Sequence, residues 1–435
     1  MRIWDPDGES LERKELEHLQ LERFQSTINR AYKNVSFYRG IFDKREIHPT
    51  RIQSLKDLTV LPFTVDEDLT ENYPFGIFAV PLRDVVRIHT SMGNASVPVV
   101  VGYTRNDVKN WNELGCRALA AAGVTEEDIV QSCLDHGLAD LGQQFQGAVE
   151  RLGAAYISTS SVNAYKRAMV LQDYRVTVLI SSPSYALHLG SIIQEMGIDP
   201  NTLSLKKALL IGEPLIEQVR ARIEETLYIR ASGLYSIHDV IPSIVAFECK
   251  QREGLHICED HFIPEVVDPK TGEPVPPGEL GELILTTVMT QAFPLIRYRT
   301  KNLTRLMPEA CSCGRTLVRM APLAGRTDQA AVVRGTLVNP DKIEMFLREV
   351  KMVRPNFLVF LDRERHLDVM EIWVEVRADM FSDEMKEMVM MIRRIQREIE
   401  ETLLLPARIR LVEADTIREH LRNGNRIIDR RQDIL

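Results

Sequence analysis

The sequence contains no stretch approaching the roughly 20 consecutive apolar residues that a membrane-spanning helix needs. Residues 1–6 show no apolar core of a secretory signal peptide. Cysteine is scarce, with 6 among 435 residues, which excludes a disulfide scaffold. We therefore expect a cytoplasmic protein in a reducing compartment, without a membrane partner.

An excess of positive charge is also absent, since the formal net charge is −8. This balance argues against nucleic acid as the main partner, although single loops and helix ends can still bind small anions. A hydrophobic content of 44% and a charged content of 27% are typical of a globular chain. Its length of 435 residues predicts two or more domains.

Short apolar segments alternate with helical patterns through the middle of the chain. Such alternation predicts a doubly wound, largely parallel sheet, whose ligands bind beyond the carboxyl ends of the strands. Two amphipathic helices are expected before it, at residues 11–44 and 106–122. The predicted strands lie near residues 128–134, 154–158, 176–181 and 208–211, and the predicted helices end at 152 or span 163–173, 183–196 and 213–226.

Beyond residue 234 the pattern changes to short strands separated by turns, which indicates an antiparallel or barrel-like β subdomain. Residues 325–328 form a plausible hinge, and helices and strands beyond it predict a small α+β domain. The fold class is therefore α/β, with a large N-terminal domain at residues 1–325 and a small, mobile C-terminal lid domain at 326–435. The Met-rich run at 380–391 is interpreted as helix core rather than a binding face.

A loop of small residues around one glycine lies between two strand-like segments at residues 88–104. Such a loop lets backbone N–H groups converge on an anion. A loop that holds a triphosphate usually adds a lysine, whereas Val97 stands just before Pro98 here. A phosphate loop, an altered phosphate loop and an ordinary turn all remain open on this pattern.

Three cysteines and one histidine form a candidate metal site. Cys249 and His256 lie on adjacent predicted strands, and Cys311 and Cys313 follow further along the chain. Three sulfurs and one imidazole suit a tetrahedral structural zinc. The alternative is buried free thiols beside a hydrogen-bonded histidine. The remaining cysteines are expected to be core residues: Cys116, Cys133 and Cys258.

Other polar residues give weaker signals. His136 and the pair His238-Asp239 are candidate acid–base groups, although such histidines are more often structural. No G-x-S-x-G elbow surrounds Ser91, so hydrolase chemistry is rejected. The charged run at residues 418–431 is interpreted as a solvated face or tail.

A series of motifs, in one order over nearly the whole chain, resembles the phenylacetate–CoA ligases of the adenylate-forming superfamily. The motifs are V-V-G-Y-T-R-N-D at 100–107, E-R-L-G-A at 150–154, P-L-I-R-Y-R-T at 294–300, C-x-C-G-R-T at 311–316 and G-R-T-D at 325–328. The resemblance implies a two-step ligase in which ATP, with Mg²⁺, and a carboxylic acid give an acyl-adenylate and pyrophosphate. The C-terminal domain then rotates and admits CoA, and a homodimer is expected.

The resemblance also assigns roles to individual positions. It implies catalytic roles for the positions of Asp239, Asn423 and Arg326. It implies an acyl pocket formed by His136, Gly137, Ala139 and Ser236. It implies nucleotide binding by Thr90, Ser91, Gly93, Gly212, Glu213, Tyr235, Asn302, Arg326 and Gly335.

Several of these positions depart from the family pattern. Val97 replaces the lysine of the phosphate loop, Asn302 the ribose-binding aspartate, and Asn423 the C-terminal catalytic lysine. The expected aromatic acyl pocket is replaced by small and polar residues, so phenylacetate itself is not the expected acid. Two hypotheses follow: an AMP-forming acyl- or aryl-CoA ligase with a weakened or altered adenylation site, or an inactive member that binds a ligand or a partner protein.

Overall fold

The computed structural model describes residues 3–91, 98–134, 141–159, 162–237, 240–334, 336–350, 353–364, 367–376, 385–403, 405–413, 416–417 and 425–431. The helices are α1 Pro6–Glu9, α2 Arg13–Asn34, α3 Ser36–Lys44, α4 Asp66–Glu71, α5 Arg105–Ala121, α6 Leu141–Leu152, α7 Ala164–Asp173, α8 Pro183–Glu195, α9 Glu217–Leu227, α10 Pro340–Glu349 and α11 Met385–Leu403. The first strands are β1 Arg87–Ser91, β2 Val99–Tyr103, β3 Ile129–Ser132, β4 Ala155–Ser158, β5 Val178–Ser181, β6 Lys207–Leu210, β7 Arg230–Ile237, β8 Ile241–Glu248, β9 Leu255–Ile257, β10 Phe262–Val267 and β11 Gly281–Thr287. The later strands are β12 Tyr298–Thr304, β13 Leu306–Met307, β14 Arg319–Met320, β15 Gly325–Arg326, β16 Ala331–Val333, β17 Thr336–Val338, β18 Val353–Glu364, β19 Leu367–Val376, β20 Ala407–Val412 and β21 Ile427–Asp429.

A nine-stranded sheet forms the centre of the N-terminal part, in the order β13-β14-β9-β8-β7-β6-β5-β3-β4. Strands β3 to β7 pair parallel to one another. Strand β5 is buried along its whole length, as expected for a parallel strand that is covered on both faces. The doubly wound parallel sheet predicted from the alternating pattern is confirmed.

The sequence pattern misses β7, one of the central strands. Its small residues Ala231, Ser232 and Gly233 give little intrinsic strand preference. The strand forms because β6 on one side and β8 on the other satisfy its backbone hydrogen bonds. Tertiary pairing therefore decides the conformation of this segment.

The antiparallel strands predicted after residue 234 divide between two sheets. Strands β8 and β9 extend the main sheet beyond β7. Strands β10, β11, β12 and β15 form a separate four-stranded antiparallel sheet, which is the predicted β subdomain. In its last pair, Asn302 of β12 lies opposite Arg326 of β15.

The long helix predicted at residues 11–44 is interrupted. Val35 has extended backbone angles, φ −109° and ψ 111°, and separates α2 from α3. Its fully buried side chain joins the main core, which explains why a local break is tolerated. None of the helices in the described ranges is long and apolar enough to cross a membrane.

The C-terminal part has a core of its own. A four-stranded sheet, in the order β20-β19-β18-β21, carries α10 and α11 against one face. Met391, Ile395 and Ile399 of α11 are buried at a spacing of four residues, whereas Met390 is 57% exposed. The α+β architecture is confirmed, while the division between residues 325 and 326 stays a prediction.

A buried ionic cluster connects the start of the chain to the main body. Arg117 of α5 donates to both oxygens of Asp260, at 2.7 and 2.9 Å, and to Asp5 Oδ2 at 2.5 Å. Burial opposes ionisation of Asp260, but nearby His261 and the guanidinium groups of Arg117 and Arg23 lower its pKa to about 2. The ionised carboxylate is therefore the stable form in the folded protein.

We predict that Asp260→Asn lowers the free energy of unfolding by about 3–5 kcal/mol at pH 7, because the buried charge of Arg117 loses its main partner. The pKa of Asp260 is about 2 in the folded chain against an ordinary 3.8, so its stabilisation is present above 3.8 and is lost as pH falls toward 2. Urea unfolding at several pH values should therefore show the penalty shrinking below about pH 4. Exposed Asp84→Asn should change stability by less than about 0.5 kcal/mol, and a pH-independent penalty would contradict this account.

Candidate active site

A cavity of about 340 Å³ lies where the main sheet, the antiparallel sheet and the C-terminal part meet. Its wall contains residues from β7, β12 and β15 and from the segment after β6. Asp429 and Arg431 contribute to it from the C-terminal part. The predicted site residues that the structure brings together here are Gly212, Glu213, Tyr235, Ser236, Asn302 and Arg326.

Glu213 follows the carboxyl end of β6, and its side chain reaches the first turn of α8. Gly212 turns the chain there with a φ of +89°, a left-handed conformation that glycine adopts without strain. The Glu213 carboxylate accepts from Ser184 N at 2.9 Å and from Ser184 Oγ at 2.6 Å. Burial raises the pKa of Glu213, although the bonds from Ser184 and the positive charge of Arg431 act in the opposite direction. Ile211, the preceding residue, is fully buried in the main core.

A chain of hydrogen bonds crosses the cavity wall from β7 to the predicted hinge. Asn302 Nδ2 donates to the Tyr235 hydroxyl at 2.9 Å, and Arg326 Nη1 donates to Asn302 Oδ1 at 3.1 Å. Arg326 also donates to both oxygens of Asp328, at 2.6 and 2.8 Å. Burial raises the pKa of Tyr235 to about 12, so its hydroxyl stays protonated. Both ends of the Asn302 amide are thus engaged, and its orientation is fixed.

Ser236 adds a hydroxyl to the same wall. Its Oγ is buried and has no hydrogen-bond partner among the described residues. A buried hydroxyl without a partner is costly, so a polar group of a bound molecule would stabilise it.

The hairpin of β1 and β2 contributes one residue of β2 to the cavity wall. Ser91 pairs with Val99, and Val99 lines the cavity. Thr90 is half-buried in β1 and is not among the lining residues. The remaining predicted site residues lie outside the described ranges: Gly93, His136, Gly137, Ala139, Asp239, Gly335 and Asn423.

The cavity also contains charged residues that the sequence analysis missed. Asp66 accepts from the Tyr298 hydroxyl at 2.5 Å and from Lys301 Nζ at 3.1 Å. Arg431 donates to the Asp429 carboxylate, at 2.9 and 2.6 Å, and to Asp368 Oδ2 at 2.6 Å. The solvated-tail interpretation is therefore wrong for Arg431, which is anchored in the wall. Arg431 is the last residue of the charged run at residues 418–431, so that run was the available signal for it.

The cysteine–histidine set assembles away from this cavity's lining residues. The ligand atoms of Cys249, His256, Cys311 and Cys313 all lie within 4.8 Å of one another. The sulfurs of Cys249 and Cys311 are 3.7 Å apart, and Cys313 Sγ is 3.4 Å from His256 Nε2. A tetrahedral zinc with bonds of about 2.1–2.3 Å needs ligand separations of about 3.6–3.8 Å.

The imidazole is oriented as a metal ligand requires. His256 Nδ1 lies 3.4 Å from the Leu317 carbonyl oxygen, which leaves Nε2 facing the sulfurs. The chemistry and spacing of the four side chains therefore fit zinc. The other three cysteines are buried elsewhere in the core, as predicted.

Comparison with known proteins identifies relatives of this chain. The AMP-binding enzyme C-terminal domain matches residues 335–431. A phenylacetate–coenzyme A ligase of Thermus thermophilus is 40% identical over 88% of this chain and 86% of its own length. One of Aromatoleum evansii is 36% identical over 97% of this chain and 96% of its own length. The chain belongs to the phenylacetate–coenzyme A ligase family.

A solved structure of another protein has the same fold as this chain. The 2-hydroxyisobutyryl-CoA ligase, in complex with 2-HIB-AMP and CoA in the thioesterification state, superimposes with a TM-score of 0.94 at 23% identity. The superposition covers 99% of this chain and 93% of that one. The same ligase in the postadenylation state gives a TM-score of 0.72. The sequence relatives support the ligase interpretation and do not favour the inactive alternative.

We predict that Glu213→Gln makes stability less dependent on pH. Because the folded-state pKa of Glu213 lies above its ordinary 4.5, its contribution to stability is present below 4.5 and is lost as pH rises through the folded value. The melting temperature of the variant should therefore increase relative to that of the wild type as pH rises from about 4 to about 8.

Ser184→Ala is the matched variant, because it removes one bond that lowers the pKa of Glu213. It should make the pH dependence steeper than in the wild type. Plots of melting temperature against pH that run parallel for the wild type and both variants would contradict the raised pKa of Glu213.

Proposed function

We propose that this protein ligates a small carboxylic acid to CoA at the expense of ATP, through an acyl-adenylate and with release of pyrophosphate. The observation that carries the proposal is the convergence of Glu213, Tyr235, Asn302 and Arg326 on one cavity with Asp429 and Arg431 of the C-terminal part. The names of its relatives, which are CoA ligases, support the same reaction.

In this proposal the nucleotide binds against the hydrogen-bonded wall. Tyr235 presents its ring and hydroxyl, and Asn302 and Arg326 present oriented polar groups to a ribose and a phosphate. The proposed nucleotide site also includes Thr90, Ser91, Gly93, Gly212, Glu213 and Gly335. The positions assigned to catalysis are Asp239, Asn423 and Arg326, with Mg²⁺ accompanying ATP.

Adenylation is proposed to be weakened or altered. Val97 and Asn423 are uncharged at positions where the family has lysines, so charge developing on the phosphates loses two partners. Loss of one such partner costs about two to three powers of ten in rate. The higher TM-score with the thioesterification state suggests that the described arrangement is the one for thioester formation.

The acid is proposed to be small or polar rather than phenylacetate itself. The buried Ser236 hydroxyl offers a hydrogen bond to a polar substituent of the acid. The other residues proposed for the acyl pocket are His136, Gly137 and Ala139, which carry no aromatic ring of phenylalanine or tyrosine type.

We also propose a structural zinc at Cys249, His256, Cys311 and Cys313. All four side chains supply nitrogen or sulfur and leave no open position, which is typical of a structural rather than a catalytic zinc. A cytoplasmic homodimer without nucleic-acid or membrane partners completes the proposal, on composition and resemblance.

A panel of small carboxylic acids, tested with ATP, Mg²⁺ and CoA, examines the reaction. We expect acid-dependent pyrophosphate release and the matching CoA thioester by mass spectrometry. Arg326→Ala should lower the rate by about 10²–10³-fold, because a positive group facing the phosphates is lost. Exposed Arg222→Ala should leave the rate unchanged. Absence of both turnover and ATP or AMP binding by calorimetry would contradict the proposal.

Asn423→Lys is a gain-of-function test of the weakened adenylation step. A lysine there should raise pyrophosphate release by about 10–10³-fold, since it restores a charge partner of the transition state. Asn423→Met, which is of intermediate length and uncharged, is the matched control. Equal rates for the two variants would contradict the weakened-site interpretation.

For the metal, elemental analysis of the purified protein should find about one zinc per chain. Chelation should lower the melting temperature by several degrees, because the metal stabilises only the folded state. Cys311→Ser should lose the metal, whereas Cys116→Ser, at another buried cysteine, should keep it. A metal-free protein with an unchanged melting temperature would contradict the zinc site.

A further inference from the structure

The start of the chain packs directly on the loop that carries two of the proposed zinc ligands. We call residues 3–13 the N-terminal segment and residues 311–316 the metal loop. Gly314 turns the metal loop with a φ of +89°, and a Cβ placed there would lie 3.9 Å from Ile3 Cδ1. The backbone N–H of Thr316 donates to the Glu9 carbonyl at 3.1 Å.

The Glu9 carboxylate connects the N-terminal segment to the metal loop. Its Oε1 accepts from the backbone N–H groups of Trp4 and Asp5, at 3.0 and 2.9 Å. Its Oε2 accepts from Arg315 Nε at 2.5 Å, and both side chains of this pair are fully buried. One carboxylate thus closes the first turn of the N-terminal segment and fixes a side chain of the metal loop.

Arg315 in turn faces a metal ligand. Its backbone N–H lies 3.5 Å from Cys313 Sγ, and its Nη1 lies 3.7 Å from the same sulfur. Two donors therefore converge on one sulfur, from an arginine whose own position depends on Glu9. Donors around a ligating group orient it and adjust its affinity for the metal.

A second connection reaches the histidine. Arg13 donates to both oxygens of Glu259, at 3.0 and 2.9 Å, and Glu259 accepts from Val318 N at 2.6 Å. Val318 follows Leu317, whose carbonyl oxygen faces His256 Nδ1. The N-terminal segment therefore contacts the surroundings of the site on two sides.

We propose that the N-terminal segment orients a ligand of the metal site. Glu9 positions Arg315, and Arg315 holds the Cys313 sulfur in place for the metal. Metal binding and docking of the segment then stabilise each other, because linkage between two equilibria is reciprocal. Arg315 and Glu9 are positioning residues and do not touch the metal. The inference rests on the zinc site proposed above.

Hydrogen exchange of the wild-type protein, with zinc bound and after chelation, tests the coupling without any substitution. We expect the peptide covering the N-terminal segment to exchange about tenfold faster or more after zinc removal. Helix α11, in the core of the C-terminal part, should exchange at an unchanged rate. If the protein binds zinc but its N-terminal segment exchanges at the same rate before and after chelation, the inference is wrong and the zinc site stands. If the protein binds no zinc, both the inference and the zinc site are wrong.

The positioning role is tested by the zinc affinity of Glu9→Gln, measured by competition with a chromophoric chelator. The affinity should fall by about 10–100-fold. The matched control is Glu265→Gln, which removes the carboxylate partner of another buried arginine, Arg297. Arg297 also donates to the backbone carbonyl groups of residues 59 and 61. The zinc affinity of Glu265→Gln should stay within about threefold of the wild type, since this pair lies outside the shell that orients the ligands. If Glu9→Gln and Glu265→Gln change the zinc affinity equally, Glu9 has no positioning role. If Glu9→Gln does not fold, hydrogen exchange of the wild-type protein decides whether metal binding and docking of the segment are coupled.

Discussion

Parallel pairing of β3, β5, β6 and β7 is the constraint on which the candidate site depends. Parallel strands end at the same edge of a sheet, so the segments that follow them meet there whatever their sequences are. Gly212 and Glu213 come from the end of β6, and Tyr235 and Ser236 from the end of β7. The antiparallel sheet then closes this edge with Asn302 and Arg326, which occupy one register position of the β12–β15 pair.

Several charged side chains in and beside the wall are held in ion pairs. Arg326 is paired with Asp328, Arg431 with Asp429 and Asp368, and Lys301 with Asp66. Buried charges are stable only when they are paired and hydrogen-bonded, so this arrangement keeps the cavity ordered without a ligand.

Much of the fold followed from periodicity, because buried parallel strands such as β5 are continuous apolar runs. Strand β7 did not, since its Ala-Ser-Gly sequence becomes a strand only through its neighbours. The four metal-ligand candidates followed from residue chemistry, and the nucleotide-facing residues from motif order. Asp66 and Asp368 could not be found in this way, because their partners, Tyr298, Lys301 and Arg431, lie far away in sequence.

The bidentate pair of Arg326 with Asp328 has a consequence for any movement of the C-terminal part. Both residues lie in the segment predicted to be the hinge, but Arg326 is paired into strand β15 of the antiparallel sheet, whereas Asp328 follows the end of that strand. A rotation that carried Asp328 away from Arg326 would leave the guanidinium inside the cavity without its carboxylate partner. The electrostatic potential at a phosphate bound there would then be more positive in the rotated state.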